Sequence, residues 1–133
     1  MAKFSPGTYD LRVKRTRAGL GLVTYSPIAR GACIIEYTGK VLTPEEEERS
    51  NSLYLFDAGG GKTIDGSPKF NKARWINHSC RPNCEIDIWR GRVFVMAKRK
   101  IKAGEELAYD YDKSYFDAYI KPKGCKCLKC KPN

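Results

Sequence analysis

The chain has 133 residues, enough for one domain with a real core and too few for a second. Apolar residues make up 41%, and no window approaches the roughly 18 consecutive apolar residues of a membrane span, which excludes an integral membrane protein of the helical kind. Lys and Arg outnumber Asp and Glu by 25 to 15, a formal charge of +10, so the expected partners include nucleic acid or other polyanions.

The opening run Met1-Ala2-Lys3-Phe4-Ser5-Pro6-Gly7 has no apolar h-region, so the sequence predicts no secretory signal. A soluble intracellular protein with reduced thiols is expected. Gly19 to Tyr25 reads as a strand opened by glycines, and Ala32 to Tyr37 as a second, continuously apolar strand. Thr43-Pro44-Glu45-Glu46 predicts a helix start, with Thr43 as N-cap, Pro44 at the first helical position and Glu46 closing a capping box. That helix ends by Ser50-Asn51. Leu53 to Phe56 is a candidate strand, and Gly59-Gly60-Gly61 a loop or tight bend.

Next comes Asn77-His78-Ser79-Cys80-Arg81-Pro82-Asn83, a polar, turn-rich segment with a cysteine inside it. A hairpin follows: Cys84, Ile86 and Ile88 alternate with Glu85, Asp87 and Trp89, Arg90-Gly91 turns the chain, and Val93, Val95 and Ala97 continue the alternation. Ile28-Ala29-Arg30-Gly31 is echoed by Ile101-Lys102-Ala103-Gly104, each a turn ahead of a strand-like run. Tyr109 and Tyr111 then alternate along an expected strand, so their side chains share a face. The fold class is mainly β with one or two short helices. The basic balance carries a tension, because a basic substrate needs a local acidic groove. Glu45 to Glu48, Asp57, Asp65, Glu85 and Asp87 could supply one.

Six cysteines are an even number, which raises a disulfide scaffold. The missing signal and the tight spacing of Cys125, Cys127 and Cys130 favour thiolates converging on one zinc ion instead. Tetrahedral zinc takes four ligands. Cys80 is the best fourth, Cys84 a weaker one, and Cys33 reads as a small apolar thiol in a buried strand. Such a site would pin the basic tail against the centre of the domain. Phosphate-binding glycine motifs are absent, and Gly19-Leu20-Gly21 is weak evidence alone.

Taken jointly, these residues resemble the SET domain of protein lysine methyltransferases. Asn77-His78-Ser79-Cys80 with Pro82-Asn83 resembles its cofactor-site motif, and Glu106-Leu107-Ala108-Tyr109-Asp110-Tyr111 its catalytic-site motif. Gly19-Leu20-Gly21 matches its opening glycine motif, Glu36-Tyr37-Thr38-Gly39 a further segment, and the cysteine tail its zinc-binding post-SET segment. The resemblance implies a SET-domain fold of small curved sheets with knot-like C-terminal threading, in which the segment around Tyr111 passes through a loop near Asn77. It places the SET domain at residues 8–113 and the post-SET tail at residues 114–133.

The resemblance further implies an S-adenosylmethionine-dependent protein-lysine N-methyltransferase. The cofactor would lie against Gly19, Leu20 and Gly21, with Tyr54, Arg74, Asn77 and His78 completing its pocket. Tyr111 would be the essential active-site tyrosine, and Tyr37 and Tyr109 would line the channel for the target lysine. Tyrosine at the position of Tyr109 implies mainly mono- or dimethylation. One structural zinc ion on Cys80, Cys125, Cys127 and Cys130 would complete the tail, although two residues separate its last two cysteines where the family has four. A histone tail is the expected substrate by analogy, with nucleosomal DNA touched by the basic surface and a nuclear or chromosomal location if the target is chromatin. The rival expectation is a non-catalytic, zinc-stabilised module that binds nucleic acid or peptide, with aromatic residues set among basic ones.

Overall fold

The structure is a computed structural model and describes residues 3–17 and 19–111. The expected zinc ligands Cys125, Cys127 and Cys130, and the whole of the expected post-SET tail, lie outside the described residues. So does the part of the expected threading that follows Tyr111.

The described chain is built of short strands. β1 (Leu11–Thr16) and β2 (Gly19–Thr24) form an antiparallel hairpin. β3 (Cys33–Tyr37), β8 (Cys84–Trp89) and β9 (Arg92–Ala97) make a three-stranded sheet with β9 in the middle. A second three-stranded sheet has β6 (Lys62–Asp65) between β4 (Lys40–Leu42) and β5 (Leu55–Gly59). The last pair, β7 (Asn77–His78) and β10 (Ala108–Tyr109), is parallel, joining residues 31 positions apart in register. One short helix, α1 (Pro44–Arg49), and a 3-10 helix over Lys72–Trp75 complete the list for the described residues. No described helix is long and apolar enough to cross a membrane.

Local chemistry explains several of these boundaries. The capping box at α1 is complete: the Glu46 amide donates to Thr43 Oγ1 at 3.2 Å, and the Thr43 amide to Glu46 Oε1 at 3.0 Å. The β8–β9 turn has Arg90 at φ 52° and Gly91 at φ 74°, two successive left-handed residues, as a two-residue hairpin turn requires. The strand expected over Leu53 to Phe56 begins at Leu55 and runs on to Gly59, because β6 pairs with it from Leu55 opposite Asp65 to Gly59 opposite Lys62, across a register shift between Asp57 and Gly59. β1, β4, β6 and β7 fall outside the expected strands, β7 within the segment expected to turn; β4, β6 and β7 are two to four residues long, too short for a periodic signal.

β9 is buried from Val93 to Ala97 because both of its faces are covered. Val93, Val95 and Ala97 join the main core with Leu22, Ile76 and Leu107, whereas Phe94 and Met96 face a smaller cluster with Cys33 and Phe4. The two echoed segments meet each other: Ile28 and Ile101 form an antiparallel bridge with both backbone hydrogen bonds at 2.9 Å. Both isoleucines are buried at the centre. The alternation in β8 decays toward the turn, where Ile88 is exposed.

Cys84, the first residue of β8, is 1% exposed and donates its S–H to Asn83 Oδ1 at 3.3 Å. Burial pushes its thiol up to about 12. An unfolded chain ionises the same thiol near 8.5. The folded value is the higher one, so the stability this thiol contributes is complete below about pH 8.5 and is lost as pH rises through 12. Urea midpoints should therefore fall with rising alkalinity, with up to about 5 kcal/mol of the loss due to this group. Cys84→Ala should lack that component; parallel pH slopes in the two proteins would remove the assignment.

Candidate active site

The chain brings the Gly19-Leu20-Gly21 turn, Asn77 and Glu106 to one corner. Asn77 Nδ2 donates to the Leu20 carbonyl at 3.0 Å and to Glu106 Oε2 at 2.8 Å. Gly21 faces Lys14 across the first hairpin, and a Cβ there would lie 2.3 Å from Glu106 Oε2 and 2.9 Å from Asn77 Nδ2. Only a residue without a side chain fits. Gly19 differs: it is left-handed, φ +107°, and its missing Cβ would face open space.

Tyr111 meets the strand that carries Asn77 at both ends of that residue. Its hydroxyl donates to the carbonyl of Ile76, and its amide donates to His78 Nδ1 at 3.1 Å. An imidazole nitrogen that accepts from an amide carries no proton, so the neutral ring has its proton on Nε2. Nε2 then points a donor at Cys80 Sγ, 3.2 Å away. Burial holds the His78 pKa below its usual value, with the Asp110 carboxylate opposing that shift. At 3.6 Å from Nδ1, Asp110 is a neighbour of a neutral ring and makes no ion pair with it. This arrangement exists because the parallel β7–β10 pair sets His78 against Tyr109, with Ser79 N donating to the Tyr109 carbonyl at 3.1 Å.

A cleft of about 670 Å³ opens beside this pair, walled by Tyr37, Tyr54, Phe56, Arg74, Tyr109 and Tyr111. The rings form a chain: Tyr37 to Phe56 at 5.0 Å between centroids, Phe56 to Tyr109 at 6.2 Å, Tyr109 to Tyr111 at 4.9 Å. The buried Tyr37 donates its hydroxyl to the Tyr54 carbonyl at 2.7 Å. The Arg74 guanidinium lies over the rings of Tyr54 and Trp75, at 4.3 and 4.6 Å, a cation–π stack on two sides. Its Nη1 donates to the Ser67 carbonyl. Nε of Arg74 is buried and has no hydrogen-bond partner among the described residues. The rim of the cleft carries Glu47, Asp57 and Asp110. Of the acidic residues considered for a groove, Glu46 and Asp87 are instead paired with Lys40 and Lys3, at 2.8 and 3.3 Å.

Tyr37, Tyr54, Arg74, Tyr109 and Tyr111 thus share the cleft, and Gly19, Leu20, Gly21, Asn77 and His78 form the adjoining corner. Cys80 is half-buried at the edge of that corner, beside His78. Cys84 is turned into the core. No group of three or more His, Cys, Asp or Glu side chains suited to a metal occurs among the described residues.

Sequence reasoning missed three contributors. Glu106 lies inside a quoted motif without a role, yet it is the partner of Asn77. Asn83 is 5% exposed and works as a splint, its Nδ2 donating to the Glu106 carbonyl at 2.9 Å and its Oδ1 accepting from Ala108 N at 2.9 Å. Phe56 bridges the ring chain between Tyr37 and Tyr109. The only available signal was their place within or next to motifs, since each partner lies far away in sequence.

Residues 19–112 match the family model of the SET domain. The chain is 41% identical over 121 residues to the histone-lysine N-methyltransferase ash1 of Drosophila melanogaster, covering 82% of this chain and 5% of that protein. It is 35% identical over 128 residues to the histone-lysine N-methyltransferase ASHH3 of Arabidopsis thaliana, covering 86% of this chain and 34% of the relative. A Mus musculus histone-lysine N-methyltransferase described as H3 lysine-36 specific is 36% identical over 124 residues, covering 82% of this chain and 5% of its own length. The chain therefore spans between one-twentieth and about a third of the curated relatives named. With the mainly β architecture, a match over most of the described residues, and the two distant motifs side by side, the chain belongs to the SET domain family.

Proposed function

We propose that this SET domain transfers methyl groups from S-adenosylmethionine to the ε-amine of lysine in a protein, a histone tail before others. The observation that carries the reading is Tyr111 bracketing Asn77 at the end of an aromatic cleft. The relatives' names, histone-lysine N-methyltransferases, support the choice of substrate. The basic charge of +10 supports contact with nucleosomal DNA beside the tail, and a chromosomal or nuclear site of action. The proposed partition is a SET domain over residues 8–113 and a post-SET tail over residues 114–133.

The residues present fit the cofactor's chemistry. Its carboxylate calls for a cation with a spare donor, and the buried, unpartnered Nε of Arg74 offers one in the cleft wall. Its ammonium calls for an acceptor, its adenine for apolar and aromatic surface, and Gly19 leaves the edge of β2 open to a ligand. Gly19, Leu20, Gly21, Tyr54, Arg74, Asn77 and His78 would hold it. When bound, it supplies an electrophilic methyl group on a sulfonium.

The remaining work falls to the chain's own side chains. A lysine of ordinary pKa must shed its proton, at about 4.6 kcal/mol at pH 7. Tyr37, Phe56 and Tyr109 exclude water along the cleft, which disfavours the ammonium form. Tyr111 has committed its hydroxyl proton to the Ile76 carbonyl, so toward any other group its oxygen can only accept. Accepting an amine N–H turns the nitrogen lone pair away from Tyr111 and fixes its line of approach. Most of the rate then comes from positioning. Cys80, with Cys125, Cys127 and Cys130, would hold a structural zinc; the Nε2–H of His78 favours a thiolate at Cys80. That zinc takes no part in the chemistry.

Mass spectrometry on a panel of histones and nucleosomes, incubated with protein and cofactor, tests the reading. The expected product is a lysine carrying one or two methyl groups, and Tyr109→Phe should move the distribution toward more methyl groups. Product dominated by trimethyl-lysine in the unaltered chain would contradict the role given to Tyr109. No transfer and no cofactor affinity, together with salt-steep nucleic-acid binding, would establish the binding-module alternative.

A further inference from the structure

Glu106 has no part in the site as proposed, yet its carboxylate points into the cofactor corner and makes no ion pair among the described residues. Three contacts hold it there. Val23 and Glu106 form a bridge, Leu107 N donates to the Leu22 carbonyl at 2.8 Å, and Asn83 fixes the Glu106 carbonyl. The carboxylate reaches Asn77 only because Gly21 has no Cβ to block it.

The consequence lies in the polarity of the Asn77 amide. A primary amide has two N–H donors and one acceptor oxygen. Both donors are taken, one by Leu20 and one by Glu106. Rotating the amide by half a turn would set Oδ1 against two oxygens that only accept, so the orientation is locked. Oδ1 accepts nothing among the described residues and is not sealed from solvent.

We propose that Glu106 is a positioning residue that fixes the Asn77 amide with its oxygen outward, making this corner specific for a cationic N–H donor. Under the function proposed above, on which this rests, that donor is the ammonium of the cofactor's amino-acid end. The carboxylate adds negative potential that also favours a cation. Gly19-Leu20-Gly21, Asn77 and Glu106 thus act as one unit, although three separate motifs supply them.

Calorimetric binding of S-adenosylmethionine and of its analogue lacking the α-amino group provides the test. The unaltered chain should prefer the parent compound by about 10- to 100-fold. Glu106→Gln keeps an oxygen for Asn77 and should retain most of that preference. Glu106→Ala should reduce it to within about threefold, since only the Leu20 carbonyl then orients the amide and the negative potential is gone. Gly21→Ala should behave like Glu106→Ala. A Glu106→Ala protein that binds both compounds more weakly by the same factor would overturn the proposal, because a purely structural role moves both alike. If the unaltered chain binds neither compound, the proposed function fails. The Asn77 side-chain NH2 resonances then decide the lock separately: a pair displaced from its random-coil positions that moves toward them in Glu106→Ala supports it, and an unchanged pair overturns it.

Discussion

Tyr111→Phe should reduce methyl transfer by about 100- to 1,000-fold, the scale of losing one preorganised polar contact at a reacting centre. Cofactor affinity should stay within about threefold, because the variant removes only an oxygen. The ring contacts survive: the phenylalanine still faces Tyr109 and His78, at centroid distances of 4.9 and 5.4 Å in the native chain. The amide bond to His78 Nδ1 is main-chain and persists as well. What disappears is the hydroxyl, whose proton is committed to Ile76 and whose oxygen orients the amine. Single-turnover rates with cofactor binding measured in parallel separate the two effects. Full activity in the variant would remove Tyr111 from the mechanism.

Gly39→Ala should destabilise the fold by about 3 kcal/mol or more, the range of a forced overlap in a packed interior. A Cβ at residue 39 would lie 1.9 Å from the Asp65 carbonyl oxygen and 2.7 Å from its carbon. Both are main-chain atoms at the end of β6, where Lys40 pairs with Asp65, so no rotamer change relieves the overlap. β4 and β6 must separate, and the strain reaches the cleft. The neighbouring Gly66 donates to the Tyr54 carbonyl at 2.8 Å, the same oxygen that holds the Tyr37 hydroxyl. Gly60→Ala is the control. It is left-handed at φ +60° but has no atom within 4 Å of the added carbon, so about 1 kcal/mol is expected. Denaturant midpoints compare the two; equal losses would show that the collision with Asp65 does not set the effect.

Legibility in the sequence followed the range of the interaction. The capping box at Thr43 and Glu46 lies within four residues and is visible to inspection. The Arg90-Gly91 turn is equally local, and two six-residue antiparallel strands flank it. β7 and β10 are two residues each; nothing local marks β7 as a strand, and the strand expected through Tyr109 and Tyr111 covers only Ala108–Tyr109. Their pairing arises because Asn83 splints the chain at Glu106 and Ala108, and because Ile28 and Ile101 meet in the core. The motifs drew attention to Asn77 and Tyr111 as residue types in a pattern. They did not reveal Glu106 as the partner of Asn77, since residues 29 apart give no periodic signal.

The sequence by itself determined the β-rich class, the helix start, the main hairpin and the membership that its ordered motifs imply. Short-range sterics and hydrogen bonding act within a few residues, and their signatures are written in residue type. Tertiary structure alone decided which atoms face one another: the direction of the Asn77 amide, the tautomer of His78, the commitment of the Tyr111 proton. Each of these depends on a hydrogen bond between segments that meet only when the core has closed, because a donor's direction is set by its partner's position in space and not by its own identity.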